Sequence, residues 1–215
     1  MAENNLQLVT PFGFTFGQDL VTEDLSELKS NNLFANGVRQ GSNPSSGEEN
    51  PFYILKKYPH SEKILLKYFH KFSDAFYNRR INFKITTSWA VKLTKGESVH
   101  FHNHVNCMWS AVYYYGEYTR NTCPLLFQNP IRSLSPLSID GVPNAPNTHN
   151  PMSTDISIVP QTNMIIFFPS WIYHYSNPNQ ETTRYSLAFN LMPSDTIGSG
   201  DSTYNPRMMI DGRNP

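Results

Sequence analysis

The segment Val99-His100-Phe101-His102-Asn103-His104 sets three histidines at even spacing. In an extended chain residues i and i+2 point the same way, so His102 and His104 can grip one metal ion from a strand end while Val99 and Phe101 face the opposite side. A third ligand must come from elsewhere. His174 is the candidate, because it follows the apolar run Met164 to Phe168 and the turn Pro169-Ser170. Imidazole suits iron, zinc, copper and nickel, so these donors alone do not name the metal, and a histidine pair at this spacing is by itself a weak signal. His100 shares the parity of His104 and is its rival. Asn103 and Asn106 mark the start of a loop, which sets His104 at the strand mouth and His100 one pair deeper. His60, His70 and His149 have no neighbour at ligand spacing and are expected on the surface or in the core. Cys107 follows the cluster closely, but a thiol there is expected to be a small buried core residue rather than a ligand.

Residues 184–192 (RYSLAFNLM) divide by parity. Tyr185, Leu187, Phe189 and Leu191 make an apolar face that should pack against helices. Arg184, Ser186, Ala188 and Asn190 make the other, which is poor core but a good pocket wall. An inward guanidinium needs an anionic partner, and a carboxylate matches its planar fork, with Ser186 able to add a hydrogen bond. Taken alone, Arg184 reads more readily as a surface salt-bridge residue at a strand start, since most arginines are solvated. On the strand after the first two ligands, Met108, Ser110, Val112 and Tyr114 share a face. If that face is internal, Ser110 and Tyr114 bring two more hydroxyls to the pocket. Asn106, Trp109, Trp171 and the 131–154 stretch are further pocket candidates.

The elements that must position these residues are many short strands. Residues 6–20 read as a first strand or two, and 35–51 as a mobile loop rich in Asn, Ser and Gly. Pro59-His60-Ser61 starts a helix with Ser61 as the expected N-cap, and Leu65, Phe69, Phe72 and Phe76 recur on one stripe. From Asn82 the period becomes two: Phe83, Ile85, Thr87, Trp89, Val91 and Leu93 alternate with polar or small residues, predicting one buried face. Thr94-Lys95-Gly96-Glu97 is a turn. Ser98–Phe101, Met108–Tyr115, Leu125–Gln128, Ile156–Val159, Met164–Phe168 and Arg184–Met192 read as further strands. Residues 131–154 lack periodicity and are expected to be a functional loop, and the polar tail from Pro193 wraps the surface. The pattern predicts a mainly β fold, an antiparallel jelly roll with a supporting N-terminal helix on one outer face. One domain, 1–215, is expected: N-terminal strands, loop and helix over 1–81, the jelly-roll core over 82–192, and the tail over 193–215.

Composition sets limits. The chain has 215 residues and a formal net charge of zero, and 16% of its residues are charged. No block of Lys and Arg suits phosphate backbones, so nucleic acid is not the expected partner. Its 14 Phe, 12 Tyr and 3 Trp favour β structure with a ligand pocket. No apolar run approaches the ~20 residues that span a bilayer. The start Met1-Ala2-Glu3-Asn4-Asn5 lacks the features of a secretion signal, and with two cysteines a reducing cytoplasm is the expected location. Oligomeric state is not legible.

Taken together, HFHNHVNCMWSAVYYYGE (100–117) and NMIIFFPSWIYHYSNPNQETTRYSLAFN (163–190) resemble the Fe(II)/2-oxoglutarate-dependent oxygenases, and within them the prolyl-hydroxylase-like branch. The family's ordered pattern is a histidine, a second ligand two positions on, a tyrosine-bearing strand, a distal histidine, and an arginine about ten positions later within an RxS pattern. Here these are His102, His104, Tyr114, His174 and Arg184-Tyr185-Ser186. Most of the superfamily has Asp or Glu where this chain has His104, although some similar members also carry HxH. The resemblance implies a double-stranded β-helix of cupin-like type, Fe(II) held by His102, His104 and His174, and 2-oxoglutarate bound by Arg184 with Tyr114 and Ser186, and with Ser110 and Asn190 nearby. It implies a dioxygenase that consumes O2 and 2-oxoglutarate, releases succinate and CO2, and hydroxylates an unidentified substrate. The alternatives are a cupin-like three-histidine metalloenzyme that does not use 2-oxoglutarate, and a non-catalytic jelly-roll binding module.

Overall fold

A computed structural model describes residues 14–29, 52–130, 155–180 and 183–206, together with the strand segments 7–9, 39–40 and 43–44. The expected loop over 131–154, most of that over 35–51, His149 and the last nine residues lie outside the described residues. The strands are β1 (Gln7–Val9), β2 (Phe16–Leu20), β3 (Arg39–Gln40), β4 (Asn43–Pro44), β5 (Phe83–Thr94), β6 (Trp109–Tyr113), β7 (Leu125–Gln128), β8 (Asp155–Ile158), β9 (Met164–Pro169), β10 (His174–Tyr175) and β11 (Thr183–Pro193). One helix, α1 (Pro59–Tyr77), precedes β5. The described strands form an eight-stranded sheet in the order β1-β2-β9-β6-β11-β5-β3-β4 and a three-stranded sheet in the order β10-β7-β8. This is the mainly β jelly roll expected, with α1 on one outer face. None of the helices described is long and apolar enough to cross a membrane.

Two apolar layers follow from strand alternation. On the outer face of the large sheet, Leu65, Phe69 and Phe72 of α1 pack with Phe83, Trp109, Phe167, Leu187, Phe189 and Leu191. Between the two sheets, Phe16, Trp89, Val91, Leu93, Tyr114, Leu125, Phe127, Ile166 and Phe168 fill the barrel. The alternation of β11 is as its parity predicts. The helix start differs from expectation. Tyr58 is at the N-cap and Pro59 opens the helix, where its fixed φ suits the first turn and its missing N–H is not needed. Ser61 lies inside the first turn, and both its N–H and its hydroxyl bond to the carboxylate of Glu27.

The single buried face expected for β5 is in fact two. Phe83 and Ile85 face the helix layer, whereas Trp89, Val91 and Leu93 face the barrel interior. The cause is a β-bulge. Asn190 pairs with Thr87, but the next residue, Leu191, pairs with Ile85. The extra residue, Thr86, donates its hydroxyl to the Asn190 carbonyl at 3.2 Å. One inserted residue reverses the side to which all later side chains point.

Candidate active site

The first two histidines do not sit on a strand. Ser98–Phe101 forms no ladder and is tied down by single contacts. Val99 and Ser176 exchange bonds, with Val99 N–H donating to Ser176 Oγ at 2.8 Å and Ser176 N–H to the Val99 carbonyl at 3.1 Å. An isolated antiparallel bridge then pairs His102 with His174, each N–H donating to the other's carbonyl at 3.1 and 2.8 Å. Directly opposed residues present their side chains on the same face, so the two rings meet with centroids 4.3 Å apart. His104 is held next by its own N–H, which donates to the Ser170 carbonyl at 2.9 Å.

His102, His104 and His174 each bring one ring nitrogen into a group lying within 4.8 Å. The opposite nitrogen of each ring is engaged. Nδ1 of His102 donates to the His100 carbonyl at 2.7 Å, and Nδ1 of His174 to the Ile172 carbonyl at 3.0 Å. Nδ1 of His104 lies 2.9 Å from Asn190 Oδ1 and 2.8 Å from Ser110 Oγ. A histidine whose Nδ1–H is fixed by an acceptor presents the Nε2 lone pair to a metal. Nε2 of His102 and Nε2 of His104 are 3.2 Å apart, close to the ~3 Å separation of two nitrogens bound to one metal at about 2.1 Å and a right angle. His174 is buried, and burial together with His102 and His104 beside it holds its imidazole well below the ordinary range, so it is neutral. The donor set therefore fits a divalent transition metal. His100 contributes its carbonyl to His102 and lies at the cavity mouth rather than in the cluster.

A cavity with about 550 Å³ of empty space, its mouth included, runs from the three histidines to Arg184. Its walls are Trp89, Val91, Val99, Val112, Leu125 and Ala188, with Tyr114 and Ser186 beside the guanidinium. Arg184 is only 2% exposed. Its Nη2 donates to the Tyr114 hydroxyl at 2.9 Å, its Nε has no hydrogen-bond partner among the described residues, and none of the ion pairs among those residues includes it. A buried cation with an unsatisfied donor calls for an anion. Burial pushes the Tyr114 phenol up, with Arg184 opposing the shift, so the phenol keeps its proton and can donate it into the cavity.

Other candidates fall elsewhere. Ser110 and Asn190 stand behind His104 rather than along the cavity wall. Trp109 lies in the helix-side core, where Nε1–H donates to the Tyr77 hydroxyl at 2.9 Å. Trp171 is 47% exposed and packs edge-on against Phe14. Asn106 takes a left-handed turn conformation, φ 61°. His60 is exposed, and the Nε2 of His70 accepts the Phe83 N–H. Both described cysteines are free thiols. Cys107 is half-buried rather than buried, and Cys123 is buried. Sequence reasoning did not single out Trp89, whose ring lies 5.3 Å from that of His104, or Thr87 and Ser170 near the same ligand. The alternation of Trp89 and Thr87 with their neighbours is visible in the sequence, but the face they occupy is set by the bulge.

Three histidines and a buried arginine at opposite ends of one jelly-roll cavity fit a metal ion and an anionic co-substrate. Residues 87–190, just under half of the chain, match the family model described as "Putative 2OG-Fe(II) oxygenase", so the chain is similar to enzymes that use Fe(II), 2-oxoglutarate and O2. No curated protein matches the sequence. Among solved structures it is similar to the non-haem alpha-ketoglutarate-dependent carbocyclase SnoK from nogalamycin biosynthesis (8% identity, 87% of this chain and 83% of that one, TM-score 0.56). It is also similar to the epimerase SnoN from the same biosynthesis (12% identity, 83% and 76%, TM-score 0.55). EvdO2 from Micromonospora carbonacea var. aurantiaca, complexed with 2-oxoglutarate, is a third (14% identity, 89% and 91%, TM-score 0.50). At these identities the likeness establishes the shared fold.

Proposed function

We propose that this oxygenase hydroxylates a C–H bond of a peptide or small-molecule substrate, with His102, His104 and His174 holding the iron and Arg184 anchoring 2-oxoglutarate. The observation that carries the reading is buried Arg184, which lines the same cavity as the three histidines and whose Nε has no hydrogen-bond partner among the described residues. When bound, Fe(II) supplies the oxidative chemistry that couples decarboxylation of 2-oxoglutarate, with release of CO2 and succinate, to substrate oxidation. Arg184 supplies a charge-assisted fork for the distal carboxylate, and the Tyr114 and Ser186 hydroxyls donate to the same group. Trp89, Val91, Val112, Leu125 and Ala188 keep water from the chain of the bound acid, which strengthens each of those bonds. Three neutral imidazoles leave a divalent ion its full charge, which favours an anionic chelating ligand. Ser110 and Asn190 serve the ligand His104 rather than the acid. The two free thiols fit a reducing, cytoplasmic setting.

The test is anaerobic titration of the Fe(II)-loaded protein with 2-oxoglutarate, followed by a succinate-release screen against peptides and small molecules. A weak visible charge-transfer band that weakens sharply in Arg184→Ala is expected. A cupin-like enzyme that does not use 2-oxoglutarate has no need of Arg184, and a band that is absent, or unchanged in that variant, would favour it.

A further inference from the structure

Behind His104 the sheet presents one straight rung of polar side chains. Thr87 on β5, Asn190 on β11 and Ser110 on β6 are direct cross-strand partners on adjacent strands. Asn190 Oδ1 accepts from Ser110 Oγ at 2.8 Å and lies 2.9 Å from His104 Nδ1, while its Nδ2 donates to Thr87 Oγ1 at 3.0 Å. Ser110 Oγ also lies 2.9 Å from Ser170 Oγ, the hydroxyl of the residue whose carbonyl receives the His104 N–H. The bulge at Thr86 sets Thr87 on the barrel side with Asn190, whereas Ile85 just beyond it faces the helix with Leu191.

A carbonyl oxygen can only accept, so an amide in this orientation requires the proton of His104 to be on Nδ1 and the lone pair on Nε2. The reversed amide has an equally complete set of partners. Its NH2 would donate to His104 Nδ1, and its oxygen would accept the Thr87 hydroxyl. In that arrangement the His104 proton moves to Nε2, aimed at His102 Nε2 only 3.2 Å away, and the pair bonds to itself instead of to a metal. Ser110 Oγ, 2.8 Å from the same Nδ1, can donate or accept and so follows either tautomer, which leaves the choice between a closed and a metal-ready pair to the amide.

We infer that Asn190 is a positioning residue for the metal centre, its amide selecting the His104 tautomer that ligates, with Thr87 and Ser110 holding the side chain in the rung. This rests on the iron-site reading above. Because this second ligand is an imidazole, it has a tautomer to be set, which a carboxylate in its place does not have.

The test uses the full chain loaded with Co(II) alone. Proton NMR of the wild type should show three exchangeable hyperfine-shifted resonances, one for the Nδ1–H of each ligand histidine. In Asn190→Leu the resonance assigned to His104 should vanish into solvent exchange, with Co(II) affinity reduced about tenfold or more. In Asn190→Asp, which accepts at both oxygens and has no reversed form, three resonances and an affinity at or above wild type are expected. Circular dichroism melts accompany each variant. Should Asn190→Leu fail to fold, Asn190→Ala takes its place with the same expected losses, set against Asn190→Asp. Three unchanged resonances with unchanged affinity in Asn190→Leu, or an Asp variant as weak as the Leu variant, would overturn the role of Asn190 and leave the iron site standing. No shifted resonance in the wild type would overturn both.

Discussion

The Nη2 of Arg184 donates to the Tyr114 hydroxyl at 2.9 Å, and both side chains are sealed inside the barrel. The bond orients the guanidinium and leaves the phenolic proton to be donated to a bound carboxylate. Arg184→Met should therefore lose at least two charge-assisted hydrogen bonds to 2-oxoglutarate, each worth roughly 1.5–3 kcal/mol, and weaken its binding about a hundredfold or more. Tyr114→Phe should cost one bond and about tenfold. Anaerobic titration of the charge-transfer band measures both. Replacing a buried cation with an apolar side chain of similar reach should leave the fold stable, so an unchanged affinity in Arg184→Met could not be blamed on compensation by refolding.

Metal content separates the ligands from their neighbours. His102→Ala, His104→Ala and His174→Ala should each purify with little Fe(II) after reconstitution, whereas His100→Ala and His60→Ala should retain a full equivalent. His100 offers only its backbone carbonyl to His102, and alanine keeps that carbonyl. Elemental analysis by plasma mass spectrometry gives the answer. A metal-free His100→Ala beside a metal-replete His104→Ala would reverse the assignment.

These residues differ in how visible they were in the sequence. The two faces of β11 could be read from alternation, because Arg184 to Leu191 runs without interruption and a buried face leaves a period of two. His102, His104 and His174 were visible as residue types at workable spacing. The bridge that unites them was not, since Ser98–Phe101 has a strand-like composition but forms no ladder, and the Val99–Ser176 bonds and the isolated His102–His174 bridge join the two segments. The bulge at Thr86 has no composition signal at all, and it decided that Phe83 and Ile85 serve the helix while Trp89 serves the site. Trp109 is a pocket candidate that reads more readily as packing, and it lies in the helix-side core, where Tyr77, 32 residues away, accepts its N–H. Long-range pairings of this kind cannot be read from local pattern.

Glu23 makes stability depend on acid pH. Burial disfavours its charge, but hydrogen bonds from Lys67 (2.7 Å) and Tyr68 (2.5 Å) outweigh that and hold its carboxyl down at about 2. A carboxyl lowered in the folded state stabilises the fold above its unfolded pKa, and that contribution is lost as pH falls from about 4.5 towards 2. The contact ties the segment after β2 to the middle of α1. Glu23→Gln should melt at a lower temperature than wild type at pH 7, and the gap should close between pH 4.5 and pH 2. Thermal melts across that window check it. A gap that stays constant down to pH 2 would mean that the carboxylate charge is not what stabilises the contact.

The helix layer approaches the sheet closely at Gly17. A Cβ built there would lie 2.4 Å from Phe72 Cδ2, well inside contact distance. Phe72 cannot yield easily, since it is fully buried, stacked on Phe167 with centroids 5.4 Å apart, and edge-on to Trp109 at 5.0 Å. Gly17→Ala should therefore destabilise by about 1–3 kcal/mol through overpacking, read as a lower urea midpoint with an unchanged slope. The cause can be isolated. Phe72→Leu removes the clashing ring edge at a cost of its own, so Gly17→Ala with Phe72→Leu should be less damaging than the sum of the two single changes. Purely additive costs would show that the glycine is needed for some other reason. Because β2 pairs with β9, and the residue just after β9, Ser170, receives the His104 N–H, the folded Gly17→Ala protein should also be assayed for Co(II). Unaltered affinity is expected, since the clash lies on the helix side of the sheet and the histidines on the other.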